Sequence, residues 1–237
     1  MWYNEVMVKK SGCRKALRKQ TYGRVYDRYL QGKLKLTGWQ KVGILMLIVV
    51  IAGFAGWVWE FMLQEVDGGF RHFYIKGGNL LPWINIYAYG AVLVILLTYR
   101  LRKYPWAVFV VAAVACGLLE WFAGWAVYTV GNGTRYWNYM IDWWGAGSID
   151  GFVCPVSMCA FGLGAQALMY WLLPSCIYLA QKMSKRAFLI LAIVLFTAVM
   201  VDDLTNLTLK NLGLPTAMDF YESIGFRYLH KSGWCIG

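Results

Sequence analysis

Apolar runs at 42–63, 81–99, 105–130, about 155–181 and 187–203 alternate with polar connections at 64–80, 100–104, 131–154 and 182–186. About 20 helical residues cross the hydrocarbon core of a bilayer, so each run reads as a transmembrane helix. The pattern predicts an all-α, polytopic integral membrane protein, a bundle of five transmembrane helices. It divides the 237 residues into a polar segment 1–41, a membrane domain 42–203 and an amphipathic tail 204–237. Within the runs, Ala52/Gly56, Ala113/Gly117 and Ala160/Gly164 are small pairs four apart, which allow helices to approach closely. Pro174 late in the fourth run predicts a kink or a helix end. Tryptophans near the run ends (Trp39, Trp57, Trp59, Trp83, Trp106, Trp137, Trp143, Trp144) read as interfacial anchors.

Composition agrees with this pattern, at 59% hydrophobic residues and mean hydropathy +0.48. The net charge of +11 raises nucleic acid as a partner, but its location argues otherwise. Segment 1–41 holds eleven Lys/Arg against Glu5 and Asp27, a net of +9, leaving +2 for the rest. A basic segment abutting an apolar run reads as a cytoplasmic tail held near anionic lipid headgroups, not as a nucleic-acid arm. Counted on alternate sides of five helices, Lys and Arg divide seventeen against six. This places the N-terminus in the cytoplasm and the C-terminus outside, in a multi-pass cell-membrane protein, the bacterial cytoplasmic membrane being the expected location. The first apolar run starts too late and is too long for a cleavable signal. Sequons at 132–134 and 206–208 fall on the expected outer side and matter only in a host that glycosylates there.

The chemistry that departs from the apolar pattern is acidic. Glu60 and Glu120 lie inside the first and third runs, and Asp202 lies near the end of the fifth. An ionised carboxylate in hydrocarbon costs several kcal/mol unless paired, neutralised or turned to a polar cavity. At about 1.5 Å per residue, Glu60 sits about 27 Å along its helix, and Glu120 and Asp202 about 22 Å along theirs. All three thus fall in the expected outer half, below loops carrying Arg71, His72, Lys76, Arg135, Asn138, Asp142 and Asp150. Glu60, Glu120, Arg135, Asn138, Asp150 and Asp202 are therefore the candidate residues of an outward-facing, substrate-binding polar pocket. Two blander readings stand beside it: carboxylates that lock the bundle through Arg71 or Arg135, and carboxylates that snorkel to the interface. Since Asp203 follows Asp202, one of the two could simply mark a helix end.

No GxSxG, HExxH or Walker A pattern is present, and two histidines make no multi-histidine metal site. No cofactor or metal is expected, and whether the chain is an enzyme stays open. Cys116 and Cys176 read as small core residues, and Cys154 and Cys159 have neither CxxC nor zinc spacing.

Several blocks in order carry a family resemblance: GWVWE at 56–60, NLLPWINIYAYGA at 79–91, LEW at 119–121, RYWNY at 135–139, and GFVC at 151–154 with Ser157, Phe161 and Gly162. Across about 53–174 the chain resembles the ABC-transporter type IV (CmpB-like) permease family of bacterial membrane proteins. Asn138 stands where that family usually has Asp, and Phe152 where it usually has Arg. The resemblance implies a permease-like subunit of a transport system, with a separate ATPase subunit and a second copy of the chain as partners besides membrane lipids. Two other readings remain: an integral-membrane enzyme acting on a lipid or lipid-linked substrate at the outer leaflet, and a non-catalytic membrane scaffold.

Overall fold

The computed structural model describes residues 21–68, 79–130, 133, 135, 137–140 and 145–224. The described residues are all-helical apart from one isolated bridge, Ile149 to Val153. The elements are α1 (Tyr22–Leu30), α2 (Gly38–Gly68), α3 (Asn85–Thr98) continued by a 3-10 turn (Tyr99–Leu101), α4 (Pro105–Val130), α5 (Pro155–Ala167), a π-helical turn (Leu168–Leu172), α6 (Leu173–Lys182), α7 (Lys185–Asn211) and α8 (Ala217–Ser223).

Among the described residues, four helices are long and apolar enough to cross a membrane: Gly38–Met62, Pro105–Val130, Pro155–Lys182 and Lys185–Asn211. The expected second span is shorter, an apolar helix over Asn85–Leu101. It starts late because the chain before it is tucked, unwound, against α2 and α7. The backbone N–H of Ile84 donates to the Gly53 carbonyl at 3.1 Å, and the Trp83 indole N–H to the Val49 carbonyl at 3.1 Å. Gly53 lies about 22 Å along α2 from Gly38. Irregular backbone is tolerated at such a depth only when protein covers it, and Trp83 is 2% exposed. Trp83 is thus a core residue, whereas Trp106, 71% exposed, keeps the character expected of an anchor. Trp143 and Trp144 lie outside the described residues, as do Arg71, His72, Lys76, Asp142 and Cys13.

The same segment is fixed from the other side by α7, which runs eight residues past the expected end at 203. Asp202 and Asp203 therefore lie within a helix and mark no terminus. The Asp202 carboxylate accepts the Leu80 and Leu81 N–H groups at 3.0 and 2.7 Å and the Asn206 amide at 2.8 Å. Asp203 accepts from Asn79 and Asn85 at 3.3 and 3.4 Å. Removing the Asp202 carboxylate takes the acceptor from the Leu80 and Leu81 N–H groups, while Asn206 keeps the Asp202 carbonyl at 2.9 Å. Asp202→Ala is expected to lower stability by about 1–3 kcal/mol, and Asp202→Asn by less, as read by thermal unfolding in detergent.

Pro174 neither ends the helix nor stands in a regular one. Its missing N–H and its ring clash with a regular α-turn, and the π turn Leu168–Leu172 immediately before it takes up the mismatch. The helix continues to Lys182 with Pro174 in the first turn of α6.

Packing follows large side chains seated on glycines. Trp83 lies over Gly53, Tyr87 over Gly56, Met158 over Gly117, Phe109 over Gly162 and Phe188 over Gly43. Gly164, expected to be a close-approach residue, faces open space, and its neighbour Gly162 takes that role. The main core joins α1 to the bundle, with Val25 and Tyr29 packed among Ile48, Val108, Met169, Ile177 and Phe188. Part of segment 1–41 is thus a docked amphipathic helix. In the tail, the Thr216 N–H and hydroxyl both donate to Asp219, at 2.6 and 2.9 Å, opening α8. These bonds, the backbone one foremost, hold the Asp219 carboxyl below its ordinary value. A carboxyl depressed by folding stabilises above its unfolded value and stops doing so as pH falls through the folded one. Protection of the Thr216 amide from hydrogen exchange, corrected for intrinsic rate, should decline below about pH 4, and Asp219→Asn should flatten that decline.

Candidate functional site

Antiparallel traverses give the bundle two chemically distinct ends. One carries Arg102, Lys103, Lys182 and Lys185 in or beside its turns. The other carries Glu60 on α2, Glu120 on α4, Asp150 in the loop before α5, and Asp202 and Asp203 on α7.

Glu60 accepts a hydrogen bond from the Tyr87 hydroxyl at 2.7 Å. Gly56, one turn earlier on α2, is what lets the Tyr87 ring lie against that helix. Glu120 accepts from the Tyr139 hydroxyl at 2.7 Å through one oxygen and from the Ser157 hydroxyl at 2.9 Å through the other. Tyr87 thus ties Glu60 to α3, and Tyr139 and Ser157 tie Glu120 to the following loop and α5. The carboxylates are half-buried, whereas Tyr139 and Ser157 are 8% and 4% exposed. Burial, then the charge of Glu120, push the Tyr139 phenol well above its ordinary value. It therefore stays a donor throughout the physiological range.

Ser157 is placed by the start of α5. Its N–H donates to the Cys154 sulfur at 3.3 Å, and its hydroxyl oxygen accepts the Cys154 N–H at 3.2 Å, a reciprocal cap built from Cys and Ser. Cys154 is buried and Cys159 exposed, and both are free thiols, as are the buried Cys116 and Cys176.

Arg135, Asn138 and Asp150 form the adjoining loop. The Arg135 guanidinium donates to the Asp150 carbonyl at 2.7 Å and lies over the rings of Tyr128 and Phe152, at 4.7 and 4.5 Å. Asp150 accepts from the Trp121 indole at 3.1 Å, next to Glu120 in sequence. Asp150 and Gly151 both have left-handed backbone, φ 54° and 73°, and a Cβ on Gly151 would strike the Asn138 side chain. The Asn138 side chain accepts the Met140 N–H at 3.1 Å, and the Gly151 carbonyl accepts the Tyr139 N–H at 3.0 Å. This turn aims Tyr139 at Glu120. Arg135 thus supports the loop, while hydroxyls contact the Glu120 carboxylate. Asp202 belongs to the α3–α7 clasp described above.

Sequence reasoning missed Tyr87, Tyr139 and Ser157 as members of the site. The signal was present, since all three fall within the blocks NLLPWINIYAYGA, RYWNY and the stretch after GFVC.

The family profile described as Putative ABC-transporter type IV matches residues 47–207. The chain belongs to that family. The match reaches further than the expected 53–174 and takes in α7, including Asp202 and Asp203, while α1 and α8 lie outside it. No curated protein and no solved structure matches the chain. At the two positions where the chain departs from the family's usual residues, Asn138 caps a local turn and Phe152 is a ring beneath Arg135.

Proposed function

We propose that the protein is a permease-like subunit of a membrane transport system, with an outward-facing polar pocket around Glu60 and Glu120 that takes a proton or a cationic group. The observation that carries this reading is that carboxylates on two different apolar helices each accept from hydroxyls, Glu60 from Tyr87 and Glu120 from Tyr139 and Ser157. Two adjacent carboxylates in a medium of low dielectric repel when both are ionised, and binding a proton or cation relieves that repulsion. Neutral hydroxyl donors orient the carboxylates without supplying the positive charge. Asn85–Leu101 with its unwound lead-in serves as a fifth pass, which puts the N-terminus in the cytoplasm and the C-terminus outside. Arg135, Asn138 and Asp150 frame the pocket's mouth, and Asp202 holds the wall formed by 79–84.

The family suggests a separate ATPase subunit, and the basic end offers a surface for it. Affinity purification of the tagged full chain should recover a nucleotide-hydrolysing partner; transport that persists without one would separate the pocket from ATP coupling. Sidedness is tested by placing cysteine at Glu120 and applying a small membrane-impermeant thiol reagent to intact cells. Labelling from outside, above the parent chain's background, is expected. Labelling only in inverted vesicles would overturn the outward-facing assignment.

A further inference from the structure

At the basic end, a groove of about 510 Å³ opens between α1, the turn before α4, and the α5–α6 helix. Tyr26, Leu30, Pro105 and Tyr170 give it an apolar and aromatic wall, and Arg102 and Lys103 give it charge. Among the described residues, no acidic side chain lines it.

Arg102 is built into this groove. Its Nε donates to the Tyr29 carbonyl at 2.8 Å, another guanidinium nitrogen donates to the Tyr99 carbonyl, and its charge lies 4.4 Å from the Tyr99 ring centre and 5.6 Å from that of Tyr29. Its own carbonyl accepts from the Tyr170 hydroxyl at 3.0 Å, tying the turn to the wall. Carbonyls and rings orient the guanidinium but leave its full positive charge for an anion. Lys103, beside it, is exposed. Tyr104 and Trp106 follow, 57% and 71% exposed, as aromatic residues do at a membrane–water boundary.

We infer that this groove is a binding site for one anionic phospholipid, its phosphate at Arg102 and Lys103 and the upper part of an acyl chain along Leu30, Pro105 and Tyr170. A free phosphate would use the charge and leave the apolar wall in water. A zwitterionic lipid would bring its own cation against two fixed ones. The amphipathic α1, packed through Val25 and Tyr29, forms one side of the groove, so the bound lipid fastens a segment outside the family match to the membrane domain. The site rests on the cytoplasmic placement of the basic end proposed above, because anionic lipid is richest in that leaflet.

The test uses the full chain, purified in detergent and titrated with phosphatidylglycerol or phosphatidylcholine under native mass spectrometry. Wild type is expected to retain one phosphatidylglycerol preferentially, and Lys103→Glu to lower that retention about fivefold or more, as loss of a surface-potential charge implies. Lys103 is exposed, so this variant does not test folding; Arg102→Gln, with thermal unfolding as control, should lower retention further. Equal retention of the two lipids by wild type would overturn the site. So would full displacement of phosphatidylglycerol by equimolar inorganic phosphate, which would make the phosphate alone the ligand. Thiol labelling of Lys103→Cys from each side of the membrane separates the two claims. Labelling from outside with lipid preference intact contradicts the sidedness and leaves the site standing.

Discussion

Glu120→Ala is expected to destabilise the protein by about 1–3 kcal/mol and to abolish any transport it supports. The truncation removes the acceptor that the buried Tyr139 and Ser157 hydroxyls share, although the Ser157 hydroxyl can turn fully to the Cys154 carbonyl at 2.9 Å. Each unsatisfied buried hydroxyl costs about 1–3 kcal/mol, offset in part if water fills the space left by the carboxylate. Glu120→Gln separates the two effects. Its amide oxygen still accepts one hydrogen bond, so stability should fall by no more than about 1–2 kcal/mol, while the ability to bind a proton or cation is gone. Thermal unfolding in detergent, paired with uptake into cells or proteoliposomes, reads both quantities. A glutamine variant as active as wild type would remove Glu120 from the pocket.

The second large effect is steric. A Cβ on Gly53 would overlap the Trp83 indole, which is enclosed and donates to Val49. Gly53→Val should therefore displace Trp83, break that hydrogen bond and disturb the Ile84 bond to the Gly53 carbonyl. Overpacking costs about 1–3 kcal/mol and the lost indole bond about 1 kcal/mol more, so the variant should lose about 2–4 kcal/mol or fail to accumulate. Gly164→Val, a substitution of the same kind where the Cβ meets nothing within 4 Å, should be near neutral. Comparing the two variants by thermal unfolding and expression level checks the claim, and equal losses would contradict it.

The contrast between Gly53 and Gly164 shows what the sequence could convey. Apolar run length depends on one helix at a time, so the four long helices were legible, three of them within a few residues of their bounds and α7 ending eight residues later than expected. The bounds of α3 depend on α7, because Asp202 and Asp203 hold 79–84 out of helical register, and no local pattern announces that partnership. Small-residue spacing picked out Gly56 and Gly117 correctly and Gly164 wrongly, since spacing does not say which face a neighbour covers. The site shows the same division. Glu60 and Glu120 stood out because a carboxylate is anomalous in an apolar run. Tyr87 and Tyr139 did not, because tyrosine is ordinary near a membrane boundary and acquires its role only when another helix brings a carboxylate within 2.7 Å. Arg135 drew attention as the obvious counter-charge, yet it is directed to the Asp150 carbonyl and two aromatic rings.

Family membership covers α2 through most of α7, and the clustered residues all fall inside it. The basic groove differs, since α1 contributes one wall and lies outside the match. The carboxylates and their hydroxyl donors therefore lie within the family match, and the groove is completed by a segment outside it.

The central claim is that Glu60 and Glu120 act as one site. Infrared difference spectroscopy of the protein in proteoliposomes, titrated with pH, reads carboxyl protonation directly through the carbonyl stretch. The account predicts a carboxyl band that disappears in Glu120→Gln and whose titration midpoint shifts in Glu60→Gln, because removing one charge changes the proton affinity of the other. A Glu120 band that titrates identically with and without Glu60 would contradict it.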